Sequence, residues 1–128
     1  MSQENVQVVE KFITSLTSGD LDGALALVTD DLELVESGSI PHDGTYRGRD
    51  GVVELMTKVG QSFGGFELKD PSFHDAGEFV VGRMTATFRS KTSAEEVTMA
   101  VAEHYWVRDG KIAYVDVYYK DPAPLLTL

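Results

Sequence analysis

The chain contains no cysteine. That excludes disulfide staples, a thiolate nucleophile and any zinc or iron–sulfur site built on sulfur, but says little about compartment, since no thiol is there to be oxidised. Positive charge is scarce too: 11 Lys and Arg stand against 21 Asp and Glu, a formal net charge of −10. Such a surface repels phosphate backbones at long range, so nucleic acid is not an expected partner. No apolar run approaches the roughly 20 residues that cross a bilayer. The segment Met1-Ser2-Gln3-Glu4-Asn5 is polar, without a basic-then-apolar leader pattern, so no membrane contact and a cytoplasmic location are expected. The three histidines, His42, His74 and His104, form no HxxxH or HxH spacing, and neither a metal nor a cofactor is expected. Gly48-Arg49-Asp50-Gly51 matches no phosphate-cradling loop or dinucleotide fingerprint, and no G-x-S-x-G elbow supports Ser-His-Asp catalysis.

What is present is an ordinary globular composition, 42% hydrophobic and 25% charged over 128 residues, the size of one domain spanning residues 1–128. From Glu4 to about Ser18, Val6, Val9, Phe12, Ile13 and Leu16 recur at helical spacing, and Gly19 is placed to end the helix. Asp20 can cap a short second helix with Leu21, Ala24, Leu25 and Val28 as its apolar stripe and Asp30-Asp31 as its exit. A strand near 31–37 and a loop at 37–44 follow. A third helix starts near Asp50, with Val53, Met56 and Val59 or Leu55 inward, and ends at Gly60, Gly64 and Gly65. The rest reads as strands near 66–74, 78–90, 95–107 and 111–120, with Asp109-Gly110 the clearest hairpin signal. Three helices and long antiparallel strands predict an α+β domain with the sheet curled around the helices.

Two glutamates break the strand pattern. Glu36 shares a face with Leu32 and Leu34, and Glu103 with Val97, Met99, Val101 and Tyr105. A carboxylate on a dry face must be paired, hydrogen-bonded, protonated or set at the wall of a cavity that uses it. Two of them suggest an acid/base pair. Structural alternatives stay open: Glu36 as a solvated strand end, Glu103 in an ion pair with Arg83 or Arg89. His104 would point away from Glu103, as a sheet-surface or dimer-contact residue. His42 is a loop residue, either at a pocket mouth or simply exposed.

Val8-Val9-Glu10-Lys11-Phe12, Gly19-Asp20-Leu21-Asp22-Gly23, Asp30 to Glu36, Glu103-His104-Tyr105 and Gly110-Lys111-Ile112 together resemble the ketosteroid isomerases and the wider SnoaL-like branch of the NTF2-like superfamily. The resemblance implies a cone of three N-terminal helices packed in a curved, mostly antiparallel sheet, a pocket open at one end, and a homodimer. It implies a general base at Glu36 and, at Glu103, an acid kept protonated to donate a hydrogen bond to a developing oxyanion, as the isomerases do. Their helical tyrosine falls on Phe12, so that donor is missing; Tyr46, Tyr105 or Tyr119 are candidates to replace it.

Alternation nominates Phe12, Leu16, Met56, Met84, Ala86, Phe88, Val115, Val117 and Tyr119 as apolar lining, beside Tyr105, with His42 and Tyr46 at the mouth; the same residues could be plain core. Such a site expects a small hydrophobic ligand with one or two oxygens. The expected function is cofactor-free acid/base chemistry on a hydrophobic carbonyl compound, isomerase-like or polyketide cyclase-like. The alternative is a non-catalytic module for small-molecule binding or dimeric assembly. An epoxide hydrolase of the limonene type fits poorly, since it needs two aspartates around an arginine. The final stretch, Asp121 to Leu128, could cover the pocket, meet a partner or fray.

Overall fold

A computed structural model describes residues 2–128. Its elements are α1 (Ser2–Thr17), α2 (Leu21–Leu25), β1 (Val28–Glu36), β2 (Gly44–Arg47), α3 (Gly48–Ser62), β3 (Gly65–Asp75), β4 (Val80–Arg89), β5 (Glu96–Arg108), β6 (Lys111–Tyr119) and a closing 3-10 turn (Ala123–Leu126). The strands form one curved, unclosed sheet in the order β2-β1-β6-β5-β4-β3. β1 and β6 run parallel and every other neighbouring pair is antiparallel. The fold is α+β, as expected, but its helices do not all precede the sheet: α3 sits between β2 and β3.

Helix α1 forms because its apolar residues repeat at the helical period, and Val9, Phe12 and Ile13 are all buried. Gly19, at φ 84, then turns the chain in the left-handed region. Asp20 caps α2, its Oδ1 accepting from the Gly23 amide at 2.9 Å. Here the structure departs from the pattern reading. α2 stops at Leu25, and Val28 opens β1 instead of ending a helical stripe, so Asp30-Asp31 lies within the strand. The register of β1 against β6 shifts between Val28 and Glu33, which absorbs the two aspartates as an irregularity.

The start of α3 is pinned by Arg49, which donates to the carbonyls of Leu25 and Val28 at 3.0 Å each and also pairs with Asp30. Gly51 is required there, since a Cβ would come within 2.7 Å of the Tyr46 carbonyl carbon. The buried stripe of α3 is Val52, Leu55 and Val59, whereas Val53 is exposed and Gly60 lies inside the helix. The misassigned face is a one-residue error: Val52, not Val53, shares the stripe with Leu55 and Val59 at helical spacing. Among the strands, Asp109 and Gly110 both take positive φ, the type I′ geometry that suits a two-residue hairpin between β5 and β6. α1 packs on α2 and β3, and α3 on β1 and β2, so the helices fill the concave face of the sheet. The C-terminal turn inserts Leu125, 2% exposed, into the core.

Candidate active site

Alternation along β1 turns Leu32, Leu34 and Glu36 inward, at 0%, 5% and 8% exposure. The parallel register, Leu34 with Val115 and Val35 with Asp116, brings Glu36 level with Val117, and Val117 pairs in turn with Glu103. The two glutamates therefore flank one valine on the concave face. Their backbones lie two strand spacings apart, about 10 Å.

Glu36 is held from its own side of the cavity. Tyr119 Oη donates to its Oε1 at 2.9 Å, and His42 Nε2 lies 2.9 Å from the same hydroxyl and 3.7 Å from Glu36 Oε1. Burial, with the nearby Glu103 charge adding to it, pushes the Glu36 pKa up to about 8, while the Tyr119 hydrogen bond pulls it down. His42 itself is 1% exposed. It packs against Phe63, Phe88 and Tyr119, and burial lowers its pKa to about 4 although Asp43 opposes this, so it is neutral at pH 7. An exposed loop histidine is thus ruled out: the loop from Ser37 to Asp43 folds inward at Ile40 and His42, and Tyr46 fastens it by donating to the carbonyls of His42 and Asp43 at 2.9 and 3.1 Å.

Glu103 accepts a hydrogen bond from the Tyr105 hydroxyl, and burial drives its pKa up. No ion pair with Arg83 or Arg89 forms; Arg89 pairs with Glu67 and Glu96 on the surface. Gly82, opposite Glu103 in the ladder, leaves room for the Tyr105 ring, because a Cβ there would stand 3.1 Å from that ring and 3.2 Å from Phe73. His104 turns to the convex face, where it meets Phe79, Trp106 and Tyr118.

Between the two carboxyls lies a cavity of about 380 Å³, within the range of roughly 300–1,000 Å³ usual for small-molecule sites. Of the residues nominated from sequence, Phe12, Leu16, Glu36, His42, Met56, Glu103, Tyr105, Val115, Val117 and Tyr119 line it. Met84, Ala86 and Phe88 do not: at 4%, 0% and 0% exposure they are solid core beneath α1. Tyr46 is also absent from the wall, being buried with its hydroxyl committed to the loop. Ile13, Thr17, Leu34, Leu55, Val59, Phe66, Glu67 and Leu68 complete the lining, and exposed Thr17 and Phe66 mark its rim. Leu34 shares Glu36's strand face, Phe66 and Leu68 share one face of β3, and Leu55 and Val59 share one stripe of α3, so alternation and helical spacing could have found them. The lining has three acids and neither Lys nor Arg, so nothing in it would neutralise a phosphate. No cluster of three or more His, Cys, Asp or Glu suited to a metal occurs among the described residues.

The model of the SnoaL-like domain family matches residues 9–115, and the chain belongs to that family. Among curated proteins none matches significantly. Solved structures are similar throughout. An NTF2-like protein from Burkholderia xenovorans is 28% identical with a TM-score of 0.84, over 99% of this chain and 95% of that one. TerC, crystallised with polyporic acid, is 24% identical with a TM-score of 0.81, over 91% and 92%. A candidate polyketide cyclase from Xanthomonas campestris is 19% identical with a TM-score of 0.77, over 93% and 92%.

Proposed function

We propose that this SnoaL-like domain is a cofactor-free acid/base enzyme acting on a small, hydrophobic, enolisable carbonyl compound, by isomerase-like proton transfer or a cyclase-like reaction. The observation that carries this reading is the pair of carboxyl groups, both raised in pKa by burial, facing one mainly apolar cavity without a cationic partner. The TerC and cyclase relatives, at 24% and 19% identity, contribute the fold only.

In its ionised form Glu36 removes a proton from the carbon next to the carbonyl. The C–H electron pair becomes the enolate double bond, and negative charge develops on the carbonyl oxygen. The two carboxyls repel each other's charge and so share one proton as a coupled pair. The reactive form is the one with that proton on Glu103, which donates a hydrogen bond to the carbonyl oxygen while its Oε1 is held by Tyr105. Glu36 then returns its proton to a different carbon, giving an isomer; in the cyclase-like variant the enolate carbon instead bonds to a second carbonyl carbon, whose π pair moves onto its oxygen, and Glu36 gives its proton to that alkoxide. Phe12 supplies only an apolar wall, so Glu103 backed by Tyr105 takes the part that the resemblance gave to a helical tyrosine. A base near pKa 8 suits this work, since basicity and availability are both substantial close to neutral pH.

The test is double-bond migration in a β,γ-unsaturated cyclic ketone, a steroid among them, followed by the ultraviolet absorbance of the conjugated product. Turnover by the native protein is expected. Tight binding of such ketones with no turnover, across isomerisation and cyclisation substrates, would transfer the assignment to a non-catalytic binding module.

Assembly as a homodimer belongs to the same proposal. Phe79, His104, Trp106, Tyr114 and Tyr118 form a continuous ring cluster on the convex face, with Phe79 and Trp106 stacked at 4.8 Å and Tyr118 52% exposed. An aromatic patch of this kind suits a second copy. Light scattering is expected to give twice the chain mass for the native protein and the single chain mass for Trp106→Glu; a native monomer at high concentration would refute the dimer.

A further inference from the structure

The bond-making steps leave one polar feature of the cavity wall unused, the chain of hydrogen bonds that ends on Glu36. Tyr119 has a single proton, and it goes to Glu36 Oε1 at 2.9 Å. The His42 Nε2 that lies 2.9 Å from the same oxygen is then the donor to it. That assigns the neutral Nε2–H tautomer, which leaves Nδ1 as a bare lone pair, in keeping with its being buried without a partner. We propose, on the premise that Glu36 is the base, that His42 and Tyr119 are positioning residues: a relay from His42 Nε2–H through Tyr119 O–H to Glu36 Oε1 that orients the carboxylate and sets its basicity.

The relay stands in a rigid frame. Tyr46 holds the backbone on either side of His42, and Phe63, Phe88 and Tyr119 pack its ring. With Oε1 engaged, Oε2 is the oxygen left to meet substrate. The groups facing Glu36 are otherwise unhelpful to its charge. From β5 come Glu103 and Tyr105, from β2 Tyr46, and β3 adds Glu67 at the cavity wall. Lys58 and Glu54 of α3 act on Tyr46, and Asp43 acts on His42. α1 contributes no ionisable side chain to the lining. A hydrogen bond to the ionised form favours it, and Tyr119 is the group that supplies one. His42 acts a step further back, since a hydroxyl that accepts a hydrogen bond becomes a better donor.

The relay can be tested without substrate, by following the side-chain carboxyl carbon of Glu36 through a pH titration in glutamate-labelled protein. In Tyr119→Phe, which keeps the ring and so the wall, the midpoint is expected to rise by about one to two pH units. His42→Phe should raise it less, and the double variant should match Tyr119→Phe alone, because His42 works only through the hydroxyl. His42→Gln, which retains an N–H at similar reach, should restore the native midpoint. A midpoint unmoved in Tyr119→Phe, or His42 and Tyr119 effects that simply add, would overturn the relay. Since no turnover is read, the result is separable from the fate of the enzymatic proposal: absent catalysis with a shifted midpoint sinks the reaction and keeps the relay, and catalysis with an unmoved midpoint does the reverse.

Discussion

Glu36→Gln is expected to lower turnover of an enolisable ketone by at least about 100-fold, the usual contribution of a positioned general base. The amide keeps the shape and the hydrogen bond from Tyr119 but has no basic lone pair of comparable strength. Full activity in the variant would remove Glu36 from the mechanism. For the native protein, the rate should climb as Glu36 ionises toward about pH 8 and fall again where Glu103 gives up its proton, a bell-shaped profile, because the step needs one carboxylate and one carboxylic acid.

The same residue leaves a stability signature. Its folded pKa of about 8 lies above the ordinary 4.5, so the folded state binds more protons than the unfolded chain across that window. Stability contributed by this group is full below about pH 4.5 and is lost as pH rises through 8. His42 acts in the opposite direction, its folded value of about 4 lying below the usual 6.5, so its contribution is present above 6.5 and lost as pH falls through 4. Between 6.5 and 8 the Glu36 effect stands free of that of His42. Chemical denaturation there should show native stability falling with pH and Glu36→Gln nearly flat by comparison; parallel curves would contradict the raised pKa.

Glu103→Leu is expected to cost roughly 100- to 1000-fold in turnover, the range for loss of one oxyanion donor. It also strands the buried Tyr105 hydroxyl, so a loss of about 1–3 kcal/mol in stability should accompany it. Adding Tyr105→Phe replaces both partners by apolar groups, and stability should return while activity does not. If the double variant recovered activity along with stability, Glu103 would be a structural residue, its proton irrelevant to chemistry.

Much of this arrangement was legible because it is local. The two-residue period marked Leu32, Leu34 and Glu36 as one face and Val101, Glu103 and Tyr105 as another, and the structure keeps both sets inward. The 3.6-residue period found α1 and its ending at Gly19. The errors arose where neighbouring elements compete for the same residues. Val28 fits a helical stripe equally well, but it pairs with Ile112 in the ladder. β2 was hidden in a polar, glycine-bounded stretch, Gly44–Arg47, too short to show alternation. Met84 and Phe88 alternate just as lining residues would; they are core because α1 lies over them.

The sequence by itself determined the fold class and the family and put Glu36 and Glu103 on the apolar faces of their strands, since strand alternation sends a side chain to one face whatever lies beyond it. Tertiary structure alone decided what those carboxyls meet. The parallel pairing of β1 with β6 sets them on either side of Val117, residues 83 apart bring Tyr119 to Glu36, and the inward fold of the 37–43 loop buries His42. Those contacts depend on strand order and on the space the helices leave inside the sheet, and neither is written in any local period of the chain.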